Sequence, residues 1–80
     1  MKVSTLKRLK ERHSDALILV RCSPYYRLFN NDAEVGHNVL GIEVLELDRM
    51  RVAEFDMSKL DMYLPKLVHA GYRIAIVDNF

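Results

Sequence analysis

Ser23-Pro24-Tyr25-Tyr26-Arg27-Leu28-Phe29-Asn30-Asn31-Asp32-Ala33 separates an unbroken apolar run, Ala16-Leu17-Ile18-Leu19-Val20, from a helix-start pattern in which Asn31 precedes Glu34 by three residues. Five apolar residues are too few for a globular helix and suit a strand buried on both faces. Asn31 with Glu34 has the spacing of a capping box, which satisfies orphan N–H groups in a first helical turn. Pro24 biases Ser23 away from helical angles. Residues 21–24 are therefore expected to leave the sheet, and the tyrosines and arginine that follow are expected on a loop that projects a ring outward. Tyr26 alternates with Tyr25 and Arg27, so it should pack beneath while the other two face solvent.

On the N-terminal side, Ser4 is a plausible cap for a helix carrying Leu6, Leu9 and His13 at helical spacing, with Val3 just before it. Lys7, Arg8, Lys10 and Arg12 occupy its other faces, and Ser14 and Asp15 close it. On the C-terminal side, Val35, Val39 and Leu40 are expected to face inward from the second helix, which Gly41 ends in a left-handed conformation. Residues 42–47 and 50–55 read as an antiparallel hairpin joined at Asp48-Arg49. The apolar alternation slips within each strand, as a bulge or a strong twist would produce.

Ser58 with Asp61 predicts the start of a third helix, with a buried stripe of Leu60, Leu64, Leu67 and Val68 and an end at Gly71. Pro65 inside that stripe removes a backbone donor and should kink the helix or delay its regular start. Residues 72–77 form a last apolar strand, expected in the sheet interior. The predicted order is helix, strand, helix, hairpin, helix, strand. It implies an α/β domain over residues 1–80, with a four-stranded mixed sheet, a parallel centre and helices packed against it.

The composition narrows the function classes. Eighty residues, 50% of them hydrophobic, support one small core and leave no room for a second. A single cysteine, Cys22, cannot close an intramolecular disulfide or supply zinc spacing. His13, His37 and His69 lie on or near the ends of three different helices, without metal-binding or acid–base spacing, and Gly36 and Gly41 make no phosphate loop. No enzyme activity, metal or cofactor is expected, and Glu43, Glu46 and Glu54 read as the solvent face of a sheet edge. No apolar run approaches the roughly 18 residues of a membrane span, and the N-terminus lacks a signal-peptide pattern, so a cytoplasmic location is the expectation. The net charge of +1 hides an asymmetry: residues 1–27 hold seven basic and two acidic residues (+5), whereas residues 28–80 hold five basic and nine acidic (−4). Such a basic front can mark a nucleic-acid face or an ordinary solvated helix.

Tyr25-Tyr26-Arg27-Leu28-Phe29 followed by Asp32-Ala33 resembles the N-terminal mismatch-recognition domain of the MutS family of DNA mismatch-repair proteins. The family's stretch has the form Gly-Asp-Phe-Tyr-Glu-Leu-Phe, then an acidic residue and Asp-Ala. The resemblance continues through Val39-Leu40-Gly41-Ile42 and through Tyr63-Leu64-Pro65-Lys66-Leu67-Val68-His69-Ala70-Gly71-Tyr72-Arg73-Ile74-Ala75-Ile76, similar to the family's Tyr-Leu-x-x-Leu-x-x-x-Gly-x-x-Val-Ala-Ile. It implies the family's fold over most of residues 4–78 and DNA, duplex or distorted, as the partner.

In the family, the phenylalanine of Phe-x-Glu wedges into a mismatched duplex and the glutamate hydrogen-bonds to the displaced base. Tyr25 retains a flat ring for that role, but Arg27 stands where the glutamate would be and exchanges an acceptor for donors. The family's Met-Ala-Gly-x-Pro segment is missing before the third helix, and the hairpin loop is shorter. The resemblance, taken with the charge asymmetry, leads to the expectation of phosphate contacts from Lys7, Arg8, Lys10, Arg12 and Arg27 with stacking by Tyr25, without the ATPase part of the larger family proteins. The alternative is a protein-interaction module that keeps the fold and has lost mismatch recognition.

Overall fold

The computed structural model describes residues 3–78. Helix α1 (Val3–Arg12) leads into strand β1 (Ala16–Cys22), β2 (Tyr25–Phe29), helix α2 (Asn31–Leu40), the hairpin strands β3 (Val44–Leu47) and β4 (Met50–Asp56), helix α3 (Leu60–His69) and strand β5 (Arg73–Asp78). A 3-10 turn, Met57–Lys59, precedes α3. The five strands form one mixed sheet in the order β3-β4-β2-β1-β5.

The class is the expected α/β, but the sheet has five strands because the segment read as a loop is itself a strand. Residues 25–29 pair antiparallel with β1, Cys22 opposite Tyr25, and along their whole length with β4, Tyr25 opposite Asp56 and Phe29 opposite Val52. The turn between β1 and β2 is only Ser23 and Pro24, joined by a cis peptide bond. Arg21 and Cys22, expected outside the sheet, complete β1. The parallel part is also displaced: β5 pairs with β1 in parallel, Ala16 opposite Arg73 through Arg21 opposite Asp78, and lies at the sheet margin rather than in its interior. The centre is therefore antiparallel.

Two cores flank the sheet. On one face Leu19, Tyr26, Leu28, Ala53 and Phe55 pack with Ala33 of α2 and, at their border, Leu60 and Tyr63 of α3. Tyr26 and Phe55 rings lie 5.7 Å apart between centroids, and Tyr63 meets Phe55 edge-on at 5.1 Å. The other face sets Ile18, Val20, Phe29 and Val52 beneath Leu6 and Leu9 of α1. This two-sided burial explains the parity slip in the hairpin without a bulge: the β3–β4 and β2–β4 registers run unbroken, and β4 buries Val52 toward one core and Ala53 and Phe55 toward the other. Asp48 and Arg49 both take positive φ, 49° and 64°, as a two-residue hairpin turn with the twist of its strands requires.

Helix boundaries depart from expectation at their caps. Asn30, not Asn31, precedes α2 and makes no side-chain cap bond; its carbonyl accepts from the Glu34 amide at 3.2 Å. Before α3, the Asp56 carboxylate accepts from the Ser58 amide at 2.9 Å, so Asp56 does the capping assigned to Ser58. The 3-10 turn lets α3 begin at Leu60 and continue through Pro65. Val68, expected in the buried stripe, is 57% exposed, while Leu67 is fully buried. Val35, Val39 and Leu40 are only half-buried; α2 meets the sheet most closely through Asp32, Ala33 and Gly36. There an added Cβ would find Ile42 at 3.4 Å and Leu28 at 3.6 Å.

Candidate nucleic-acid interface

Strand pairing places the candidate residues on one side of the sheet. Partners opposite each other in a ladder share a face. Val20 and Cys22, on the α1 side, oppose Arg27 and Tyr25. Tyr25, Arg27 and helix α1 therefore lie on the same face, with Tyr25 at one end of β2 and Phe29, beside Lys7, at the other. At about 3.3 Å per residue that distance is roughly 13 Å. Tyr26 turns the other way and is 5% exposed, against 37% for Tyr25, so the alternation expected for these rings holds.

Arg27 is not a free cation. It sits opposite Glu54 of β4, and its Nε donates to Glu54 Oε2 at 2.8 Å with the two side chains 34% and 28% exposed. That hydrogen bond raises the Arg27 pKa above its ordinary value. Glu54, grouped in the sequence with unspecialised edge carboxylates, is thus part of the same surface. Only the strand register reveals it, because the two residues are far apart in the chain.

The α1 cations divide. Lys10 Nζ donates to both Asp32 carboxylate oxygens, at 2.8 and 3.0 Å, and to the Ala16 carbonyl at 2.8 Å. Asp32 is nearly fully buried and also accepts from the Ile18 amide at 3.1 Å. The β1–β2 ladder stops at the Val20 pair, so this carboxylate takes an amide that strand pairing leaves over. Lys7, Arg8 and Arg12 are exposed and make no ion pair among the described residues. A cavity of about 310 Å³ opens between α1 and the start of α2, where Leu6 and Phe29 meet Lys7, Lys10, Asn30 and Asp32.

Elsewhere the groups weighed for chemistry stay apart. His37 Nδ1 lies 2.9 Å from the Ile42 carbonyl at the end of α2. Cys22 is a half-buried free thiol at the end of β1. Among the described residues, no three His, Cys, Asp or Glu side chains converge as metal ligands would, and no helix is long and apolar enough to cross a membrane.

The described residues define an α/β domain with a helix pair on one side of its sheet and a basic, aromatic-bearing surface on the other. A family model for MutS domain I matches residues 3–80, and the chain belongs to that family. It is 41% identical over 76 residues to the DNA mismatch repair protein MutS of Phocaeicola vulgatus, an alignment covering 89% of this chain and 9% of that protein. It is 37% identical over 77 residues to the protein of the same name from Salinibacter ruber, covering 90% of this chain and 8% of that protein. With the Thermotoga petrophila protein it is 37% over 83 residues, covering 99% and 10%. The chain thus spans about a tenth of the length of these relatives.

Proposed function

We propose that this domain binds DNA through the α1 face of its sheet, holding the backbone with basic side chains and stacking Tyr25 against a base at a distorted or mismatched step. What supports this reading is membership of a domain family whose full-length relatives are named as DNA mismatch repair proteins, combined with one geometric observation. The exposed Tyr25 ring shares a single face with Lys7, Arg8 and Arg12, which have no carboxylate partner among the described residues. Phosphate contacts through Lys7, Arg8 and Arg12 carry the sequence-independent affinity, Lys10 and Arg27 add less because each already holds a carboxylate, and Tyr25 senses distortion. In this reading the domain works by binding alone and drives no ATP-dependent step.

Fluorescence anisotropy with matched, mismatched and single-stranded oligonucleotides at low salt tests it. Tyr25→Ala should weaken distorted duplexes by about 1 to 3 kcal/mol and matched duplexes much less. Replacing Lys7, Arg8 and Arg12 by glutamine should lower the slope of log K against log salt by about 0.9 for each phosphate that is no longer neutralised. Absence of binding to every oligonucleotide at low salt would sink the reading. A protein-interaction module is the second reading, favoured by Leu45 and Leu47, which are exposed near the sheet margin on this same face. It gains if DNA fails to bind and a protein partner's affinity depends on those two leucines.

A further inference from the structure

We propose that the outer edge of β5 pairs antiparallel with the β5 edge of a second copy of this chain, joining two five-stranded sheets into one. The proposal goes beyond the DNA-binding reading and does not depend on it. Among the described residues no strand pairs with that edge of β5, which leaves a row of backbone N–H and C=O groups without strand partners. The edge also lacks the features that keep such rows apart. Between Arg73 and Asp78 lie only Ile74, Ala75, Ile76 and Val77, with no charge and no proline. The register with β1 runs unbroken over all six residues, so no bulge twists the edge away.

On the face that carries α3, the margin is apolar. Ile74 and Ile76 lie opposite Leu17 and Leu19 of β1 and share their face; Ile74 packs into the core there, whereas Ile76 is 42% exposed. Lys66 of α3 lines a groove with Val39 of α2, and at about 100° per residue the exposed Val68 stands on the opposite flank of the helix, toward β5.

Charge selects the occupant. The two ends of β5 carry Arg73, bonded to Asp15, and Asp78, bonded to Arg21. Antiparallel pairing brings the Arg73 end of each strand beside the Asp78 end of the other. Charges across the joint then alternate in sign, from Asp15 and Arg73 of one copy to Asp78 and Arg21 of the second. Centred on Ala75, the pairing also sets Ile74 of each copy opposite Ile76 of the other, an apolar cross-strand pair. The other open edge, β3, does not admit a second copy in this way. Exposed Glu46 lies within its four residues and Glu43 just before them, so self-pairing brings carboxylates of the two copies opposite one another or one residue away. In a continuous sheet the two-fold axis of the β5 pair stands perpendicular to the strands and to the sheet plane, so both α1 helices and both Tyr25 rings lie on one side.

Sedimentation equilibrium of the purified 80-residue chain, from micromolar to millimolar concentration, tests the proposal. The mass should rise from one chain to two and no further, because this pairing uses up the edge that makes it. Ile76→Lys, which charges an edge residue already exposed, should raise the dissociation constant by at least about tenfold, with the urea midpoint of the dilute chain showing that the fold is kept. Leu45→Lys on β3 should leave the constant unchanged. In the wild type, amides of β5 should exchange hydrogen more slowly at the high end of the concentration series than at the low end, and those of β3 should not. A single-chain mass at every concentration, masses beyond two, a dimer that Leu45→Lys dissolves and Ile76→Lys spares, or concentration-dependent protection at β3 instead of β5 would each overturn the proposal.

Discussion

Asp32 holds three elements together from a position almost out of water: its carboxylate takes Lys10 of α1, the Ile18 amide of β1, and stands in the first turn of α2. Removing it strands the buried Ile18 amide, whereas Lys10, 38% exposed, keeps the Ala16 carbonyl and gains water; an unpaired buried donor costs more than the hydrogen bond itself contributed. Asp32→Ala should lower stability by about 2 kcal/mol, read from the urea midpoint, and Asp32→Asn by roughly half that because the amide oxygen can still accept. A loss below about 0.5 kcal/mol in Asp32→Ala would mean the carboxylate is replaceable by water. The same bonds alter what Lys10 can offer a ligand, since every phosphate it approaches competes with a buried carboxylate. Lys7, Arg8 and Arg12 on the neighbouring turns face no such competition among the described residues.

At the scale of elements, α2 carries a glycine in mid-helix against the sheet. Helical glycine costs about 1 kcal/mol relative to alanine, and the space at Gly36 admits a methyl group at ordinary contact distances from Ile42 and Leu28. Gly36→Ala should therefore stabilise the fold by about 0.5 kcal/mol after some local crowding, seen as a higher urea midpoint. The turn before α3 makes a different prediction. Hydrogen bonding from Ser58 holds the Asp56 carboxyl below the usual carboxylate range. A carboxyl whose folded pKa is depressed stabilises the fold above its unfolded value and ceases to do so as pH falls through the folded one. Wild type and Asp56→Asn should thus differ most near neutral pH and converge in thermal melts as the pH falls below the ordinary carboxylate range and through the depressed folded value.

Local signals in the sequence disclose β1, α1, the hairpin turn and the opposite facing of Tyr25 and Tyr26, because each depends on residues within a turn or two. The strand β2 is not legible in the same way. Pro24 and the polar residues around it read as loop, and what makes 25–29 a strand is pairing with β4, whose residues lie far along the chain. Strand position fails for the same reason: the apolar run at 72–77 says that β5 is half-buried but not that it borders the sheet. The partnership of Arg27 with Glu54 and the burial of Asp32 belong to the same class, being products of register rather than of spacing. Resemblance to the MutS domain pattern gives the fold class and the order of helices, but the four-stranded reading beside it still misses β2 and the marginal place of β5.

For the whole molecule, the uneven charge along the chain becomes an uneven surface. Of the first 27 residues' cations, Lys10, Arg21 and Arg27 are paired with carboxylates from the acidic remainder, which leaves Lys7, Arg8 and Arg12 of α1 as the unpaired ones among those described. Three of the five ion pairs among the described residues are more than a third exposed on both sides, so each contributes little to stability. The cores on the two faces of the sheet dominate, with β1 buried between them over Ala16 to Val20. That strand has β2 on one side and β5 on the other, and the ladder to β5 ends with Arg21 and Asp78, 57 residues apart in the chain. During synthesis, the most apolar strand of the molecule must therefore wait with one edge unmatched until that whole intervening stretch has left the ribosome. Closing so long a loop is slow, and an apolar strand edge left open is a site for pairing between chains. The interval in which this fold is most exposed to aggregation thus opens with the emergence of β1 and ends with the arrival of β5.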